Sequence, residues 1–102
     1  MLFRSSITSD ERLKTEIENV EDDTIEILKN VKVKTFIKNK KTKQPEIGFI
    51  AQNIKEFVPD KYGIVNDESE YLMMDYNKMT ALLWDIVQKQ QARIEALEMK
   101  LK

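Results

Sequence analysis

The chain has 102 residues, 17 Lys plus Arg against 18 Asp plus Glu, 34% charged and 41% hydrophobic residues, and neither His nor Cys. That length holds one small domain with a modest core, and the missing residue types exclude a Ser-His-Asp triad, a cysteine nucleophile, imidazole or thiolate metal sites and a disulfide framework. A formal net charge of −1 argues against nucleic acid or an anionic membrane surface as the default partner, and no apolar run approaches the length of a membrane span.

Taken in chain order, residues 1–8 show no period and read as an extended lead-in, too short and too polar for a signal peptide. Ser9 opens a polar stretch, SDERLKTEIENVED, in which Leu13, Ile17 and Val20 recur at helix-like spacing. Asp22 to Val31 predicts a short helix. Asp22 and Asp23 stand at its positive end, Ile25, Leu28 and Val31 share a face, and Lys29 lies near its C-terminus. Residues 32–38 predict a strand with Val33, Thr35 and Ile37 inward and Lys32, Lys34 and Lys38 outward, Phe36 breaking the alternation. Residues 39–46, NKKTKQPE, read as an exposed turn or arm, and Ile47 to Ala51 as the returning strand. Gln52 to Val58 predicts a helical turn ended by Pro59. Two weak strands follow, at Gly63 to Val65 and Glu70 to Met74.

The strongest element runs from Asp75 to the end. Asp75 suits an N-cap, and no Gly or Pro occurs from Tyr76 onward. With heptad position a at Thr80, Val87, Ile94 and Leu101 and d at Tyr76, Leu83, Gln90 and Leu97, an apolar seam sharpens toward the C-terminus. A helix of this length is roughly 40 Å long, more than one small domain covers. A parallel coiled coil of two or three strands answers that excess, with Gln90 as a buried polar layer that fixes register. Ile86 at g and Trp84 at e widen the apolar face, so the first turns also contact the globular part. The fold class is therefore α+β, with short strands and helices followed by a long C-terminal helix that assembles.

Chemistry concentrates in Ser9-Asp10-Glu11-Arg12-Leu13-Lys14. One reading is structural, with Ser9 capping a helix start. The other pairs a Ser9 nucleophile with a Lys14 base, a variant of the triad logic. Lys14 then has to surrender its proton, which burial or a cationic neighbour such as Arg12 favours. Ser9 is also placed to attack the carbonyl before it, exchanging an amide for an ester that water opens. No metal and no cofactor is expected.

SDERLK, then GFIAQNI with FVPD close behind, then MDYNKMTALLWDIVQKQQARIEALE resemble, in order, the signature blocks of one family. It is the intramolecular chaperone and auto-processing domain at the C-terminus of endosialidase tailspikes, phage tail fibres and the myelin regulatory factor. The resemblance runs from Ser9 to the end. It implies a domain over 9–102, including a three-stranded coil over 75–102 with Leu83, Val87, Gln90, Ile94, Leu97 and Leu101 at the interface. Residues 1–8 would then be the end of an upstream β-rich fibre or tailspike client, or an added lead-in, since only eight residues precede Ser9 where the family has a large client. Such a domain trimerises, helps its client fold and then cuts itself off, so the chain is expected in a virion tail fibre precursor assembled in the host cytoplasm.

The resemblance further implies that Ser9 and Lys14 form the catalytic dyad, that Asp10 and Arg12 shape the turn, and that the cut falls beside Ser9. Attack geometry favours the Thr8–Ser9 bond, with Ser9–Asp10 open. Whether the dyad forms within or between chains is also open. GFIAQNI would be a core strand entering a short helix, with Gly48 allowing close packing. The arm over residues 32–43 carries six Lys and no acid. It reads as a solvated hairpin ahead of a nucleic-acid contact, and the resemblance adds a third option, an arm that reaches toward the client. The competing reading of the whole chain is a trimerisation module that never cuts.

Overall fold

The regular elements follow the order helix, hairpin, helix, a small ribbon and a long helix, each near where its punctuation lies. The computed structural model describes residues 8–102; the expected lead-in over residues 1–7 lies outside the described residues. Helix α1 spans Thr24–Asn30, with Asp23 as N-cap accepting from the Glu26 N–H. Strands β1 (Val33–Ile37) and β2 (Pro45–Phe49) form an antiparallel hairpin with Val33 opposite Phe49 and Ile37 opposite Pro45. Helix α2 spans Ala51–Phe57 and stops before Pro59. Strands β3 (Val65–Asn66) and β4 (Met73–Met74) make a two-residue ribbon. Helix α3 then runs over Tyr76–Lys100, and the Asp75 carboxylate accepts from the Lys78 N–H at its start. The architecture is α+β with short strands and one long C-terminal helix.

The core is one apolar cluster: Ile25 and Ile27 of α1, Ile54 of α2, Val58 and Ile64 beyond it, and Met79, Leu82 and Ile86 of α3. Ile54 is 0% exposed. Truncating a fully buried Ile leaves a cavity that surrounding groups fill only partly. Ile54→Ala is therefore expected to lower unfolding free energy by about 2–5 kcal/mol, read from urea denaturation followed by circular dichroism.

Three details differ from the sequence expectation. The apolar spacing of Leu13, Ile17 and Val20 builds no helix: only a 3-10 turn at Glu11–Leu13 forms. Leu13 and Ile17 lie exposed with nothing to pack on, and Glu16 takes a left-handed backbone (φ 52°) that a right-handed helix excludes. In α1, Leu28 faces outward while Thr24, Ile25 and Ile27 are buried. The Thr24 hydroxyl donates to Asp85 of α3 at 2.7 Å, and this bond turns the row of residues 24, 27 and 31 inward. In β1 the expected inward residues Val33, Thr35 and Ile37 are exposed, and Phe36 is the half-buried one. Gly48 explains the reversal: a Cβ there would lie 3.3 Å from the Phe36 ring and 3.1 Å from the Tyr76 hydroxyl. Its missing side chain leaves the aromatic room on the covered side.

Helix α3 has two faces. Met79, Leu82 and Ile86 are buried on the domain's own core. The heptad positions point elsewhere: Leu83, Val87, Ile94, Leu97 and Leu101 are exposed by 41, 59, 49, 59 and 88% respectively, and Gln90 is exposed too. Contact with the apolar core runs through Met79, Leu82 and Ile86. Trp84, expected to share in it, is 69% exposed and instead lines an open apolar groove with Leu83 and Val87.

Candidate functional site

Asp10 decides the local shape of the Ser9–Lys14 segment. Its backbone is extended (φ −68°, ψ 131°) and its carboxylate caps the 3-10 turn, accepting from the Arg12 N–H at 2.8 Å. Acceptance of a nearby backbone N–H is what a short acidic side chain does well at a turn start. The Leu13 and Lys14 N–H groups close the turn on the carbonyls of Asp10 and Glu11, each at 3.0 Å. Lys14 then returns to extended backbone (φ −119°, ψ 146°). One tight turn between two extended residues folds the segment back on itself, and the Lys14 Nζ donates to the Ser9 Oγ at 2.7 Å.

Ser9 is therefore not the cap; Asp10 is, and the Ser9 hydroxyl faces an amine. Thr8, the residue before it, is exposed. The Arg12 guanidinium grips the Asp10 carboxylate, Nη2 to Oδ2 at 2.7 Å and Nε to Oδ1 at 3.1 Å. This pairing holds the Asp10 carboxyl below its ordinary range, the Arg12 side chain contributing most and its backbone N–H next. It also raises Arg12 above its usual value. Arg12 therefore serves the turn through Asp10, and its charge is neutralised there instead of standing free beside Lys14. Ser9, Asp10, Arg12 and Lys14 are brought together, all exposed in the single chain. Leu83, Val87, Gln90, Ile94, Leu97 and Leu101 form a separate stripe along α3.

A second polar cluster ties the chain between this segment and α1, at Val20 and Asp22, to the body. The Lys89 Nζ, on α3, donates to the Asp22 carbonyl and to Asp85 Oδ2, both at 2.7 Å, and to Thr24 Oγ1 at 3.1 Å, and one of these three hydrogens is shared with the Val20 carbonyl at 3.3 Å. Asp22 in turn accepts from the Tyr62 hydroxyl and pairs with Lys61 at 3.0 Å. Burial raises the Tyr62 hydroxyl, and the bond to Asp22 adds to the effect. Burial alone would raise Asp85, but the Lys89 ammonium and the Thr24 hydroxyl outweigh it and leave the carboxyl below its ordinary range. Sequence reasoning treated Asp22 as helix-start charge and missed the cluster. The Asp85–Lys89 pair is legible as an i, i+4 ion pair, but nothing in the sequence says that Val20 and Asp22, more than sixty residues away, would supply the remaining acceptors.

Asp22 titrates below the ordinary carboxylate range, through the Tyr62 hydrogen bond first and the Lys61 contact second. A carboxylate lowered on folding stabilises the native state above the unfolded value, about pH 4, and that contribution fades as pH falls through the folded value. Acidification from pH 5 to pH 2 is thus expected to loosen the tether, and Asp22→Asn should flatten this part of the acid-unfolding curve followed by Tyr fluorescence.

Among the described residues no three carboxylates gather as a metal site, and no helix is long and apolar enough to cross a membrane. A peptidase-family model described as "Chaperone of endosialidase" matches residues 9–62. The match opens on Ser9 and takes in the 3-10 turn, α1, the hairpin and α2. No curated protein and no solved structure matches the chain.

Proposed function

The chain belongs to the family of endosialidase chaperones, and from that premise we propose that it is a C-terminal intramolecular chaperone which trimerises, assists folding of an upstream fibre or tailspike protein and releases itself by cutting beside Ser9. The domain is residues 9–102, with residues 1–8 the end of the client or an added lead-in, and α3 supplies a parallel three-stranded coil over 75–102. The observation that carries the reading is the 2.7 Å contact from Lys14 Nζ to Ser9 Oγ at the first residue of the family match.

The chemistry follows from that contact. Lys14, once neutral, takes the Ser9 hydroxyl proton as Oγ attacks the Thr8 carbonyl carbon. The tetrahedral intermediate collapses with its C–N bond broken, and the Ser9 nitrogen leaves as an amine after receiving that proton. Thr8 is then esterified to Oγ. Water hydrolyses the ester, giving a Thr8 carboxylate and a Ser9 N-terminus. Because nucleophile and carbonyl are one residue apart, positioning supplies much of the rate. In the single chain both groups face solvent; assembly would cover them, which ties cutting to a completed trimer.

Support for the trimer comes from α3. None of residues 90–100 is buried, yet Ile94, Leu97 and Leu101 are apolar. An isolated helical tail of that length is marginal in water, and three copies packed along the seam would shelter it. The Lys-rich turn, where the Asn39 carboxamide oxygen accepts from the Lys41 and Thr42 N–H groups, would be an arm toward the client.

The test joins a client to residues 9–102 and measures particle mass by light scattering and chain mass by mass spectrometry on one sample. Three chains per particle, with a fragment beginning at Ser9, are expected. A full-length trimer would favour a trimerisation module that does not cut, and a monomer would overturn both. A fragment beginning at Asp10 would move the cut to the Ser9–Asp10 bond.

A further inference from the structure

Between Lys14 and α1 the chain runs without regular structure, and the hydrogen bonds that fasten it to the rest of the fold converge on Val20 and Asp22. Lys89 supplies two of these from a single atom, and both go to main-chain carbonyls. Its side chain is 29% exposed and that of Asp85 is 21% exposed. Thr24, which shares both partners, is 0% exposed. An ammonium that converges on two carbonyls, a hydroxyl and a carboxylate is a geometric clamp. Surface ion pairs contribute little because solvent screens them; the Asp85–Lys89 pair is partly shielded and lies within α3, and it is the ammonium's bonds to Val20, Asp22 and Thr24 that join segments more than sixty residues apart.

We propose that Lys89 is a positioning residue: its ammonium clamps the Val20–Asp22 backbone to α3 and so suspends the Ser9–Lys14 turn from the helix. The clamp sits between Ile86, which is buried in the core, and Ile94, on the seam. It therefore registers the reactive turn against the element that would assemble. For its effect on cutting, this inference rests on the proposed self-release; the anchoring is independent of it.

The chain holds no Cys, so Glu18→Cys in the client fusion gives a single attachment point for a nitroxide label on the suspended segment. Lys89→Met is expected to narrow the electron paramagnetic resonance line at residue 18, with particle mass and helix content unchanged, and to slow self-release about 10-fold to 100-fold, the usual cost of small misplacements. Lys61→Met, which removes the outer contact to Asp22 and the ammonium over the Tyr62 ring but leaves Lys89 and its acceptors in place, is expected to leave line shape and rate near the parent. If Lys89→Met does not fold because Asp85 is left unpaired, Asp85→Asn/Lys89→Met removes both charges and takes the same readouts. An unchanged line, or an unchanged rate in a folded and assembled variant, overturns the proposal. If the parent fusion never cuts, the self-release reading falls, and the line shape alone decides for or against the clamp.

Discussion

Lys14→Ala in a client fusion is expected to stop self-release while the particle assembles as before. The Lys14 side chain makes one hydrogen bond, to Ser9, and is exposed, so its loss leaves no buried partner unsatisfied and stability barely changes. Cutting, by contrast, loses its proton acceptor. A positioned base contributes about 10²–10⁴-fold, so the rate of processing followed by intact mass should fall by at least about 10²-fold. Ser9→Ala should be fully silent. Processing of Lys14→Ala at the parent rate would show that another group takes the proton and that the 2.7 Å contact is only a surface hydrogen bond. The turn makes a control available: Glu11→Ala alters a neighbouring side chain with no bond to Ser9 or Lys14 and should cut normally.

Ile94→Asp has the second largest expected effect, and it acts on a different level. Ile94 is 49% exposed and belongs to the stretch of α3 that contributes nothing to the domain's own core. The single chain should therefore keep its fold around Ile54. In a three-stranded coil the same substitution places three carboxylates in one layer, and desolvating each costs several kcal/mol. Assembly is expected to weaken by about 10³-fold or more, read by sedimentation at micromolar concentration, and self-release should fail with it. A variant that sediments as the parent does would remove the seam from the interface. Failure of cutting with an intact particle would instead separate the two halves of the proposed function.

The elements that were legible in the sequence are those whose stop and start signals are local. Asp75 caps α3 and Pro59 follows the end of α2, as expected, because a cap or a missing N–H acts within one turn. The turn over Ser9–Lys14 was legible as a motif but not as a geometry. Which of Ser9 and Asp10 caps depends on a side-chain competition that Asp10 wins by engaging both the N–H and the guanidinium of Arg12. Faces were harder than elements. The orientation of β1 turned on Gly48, fifteen residues past Val33, where an absent side chain admits the Phe36 ring. The rotation of α1 turned on Thr24 finding Asp85. Both are tertiary choices between periodicities that the local pattern leaves nearly equal. The Lys89 cluster was illegible for a stronger reason: two of its acceptors are main-chain carbonyls, which every residue type carries.

Helix α3 is unbroken from Tyr76 to Lys100 and places Met79, Leu82 and Ile86 on the core while the heptad residues lie on another side. Each residue added to or removed from it turns everything beyond by about 100°. A one-residue deletion between Lys89 and Ile94 would thus swing the distal stripe away from the proximal one while leaving Met79, Leu82, Ile86 and Lys89 in place. A seven-residue insertion or deletion, close to two full turns, would by contrast keep the two stripes nearly in line.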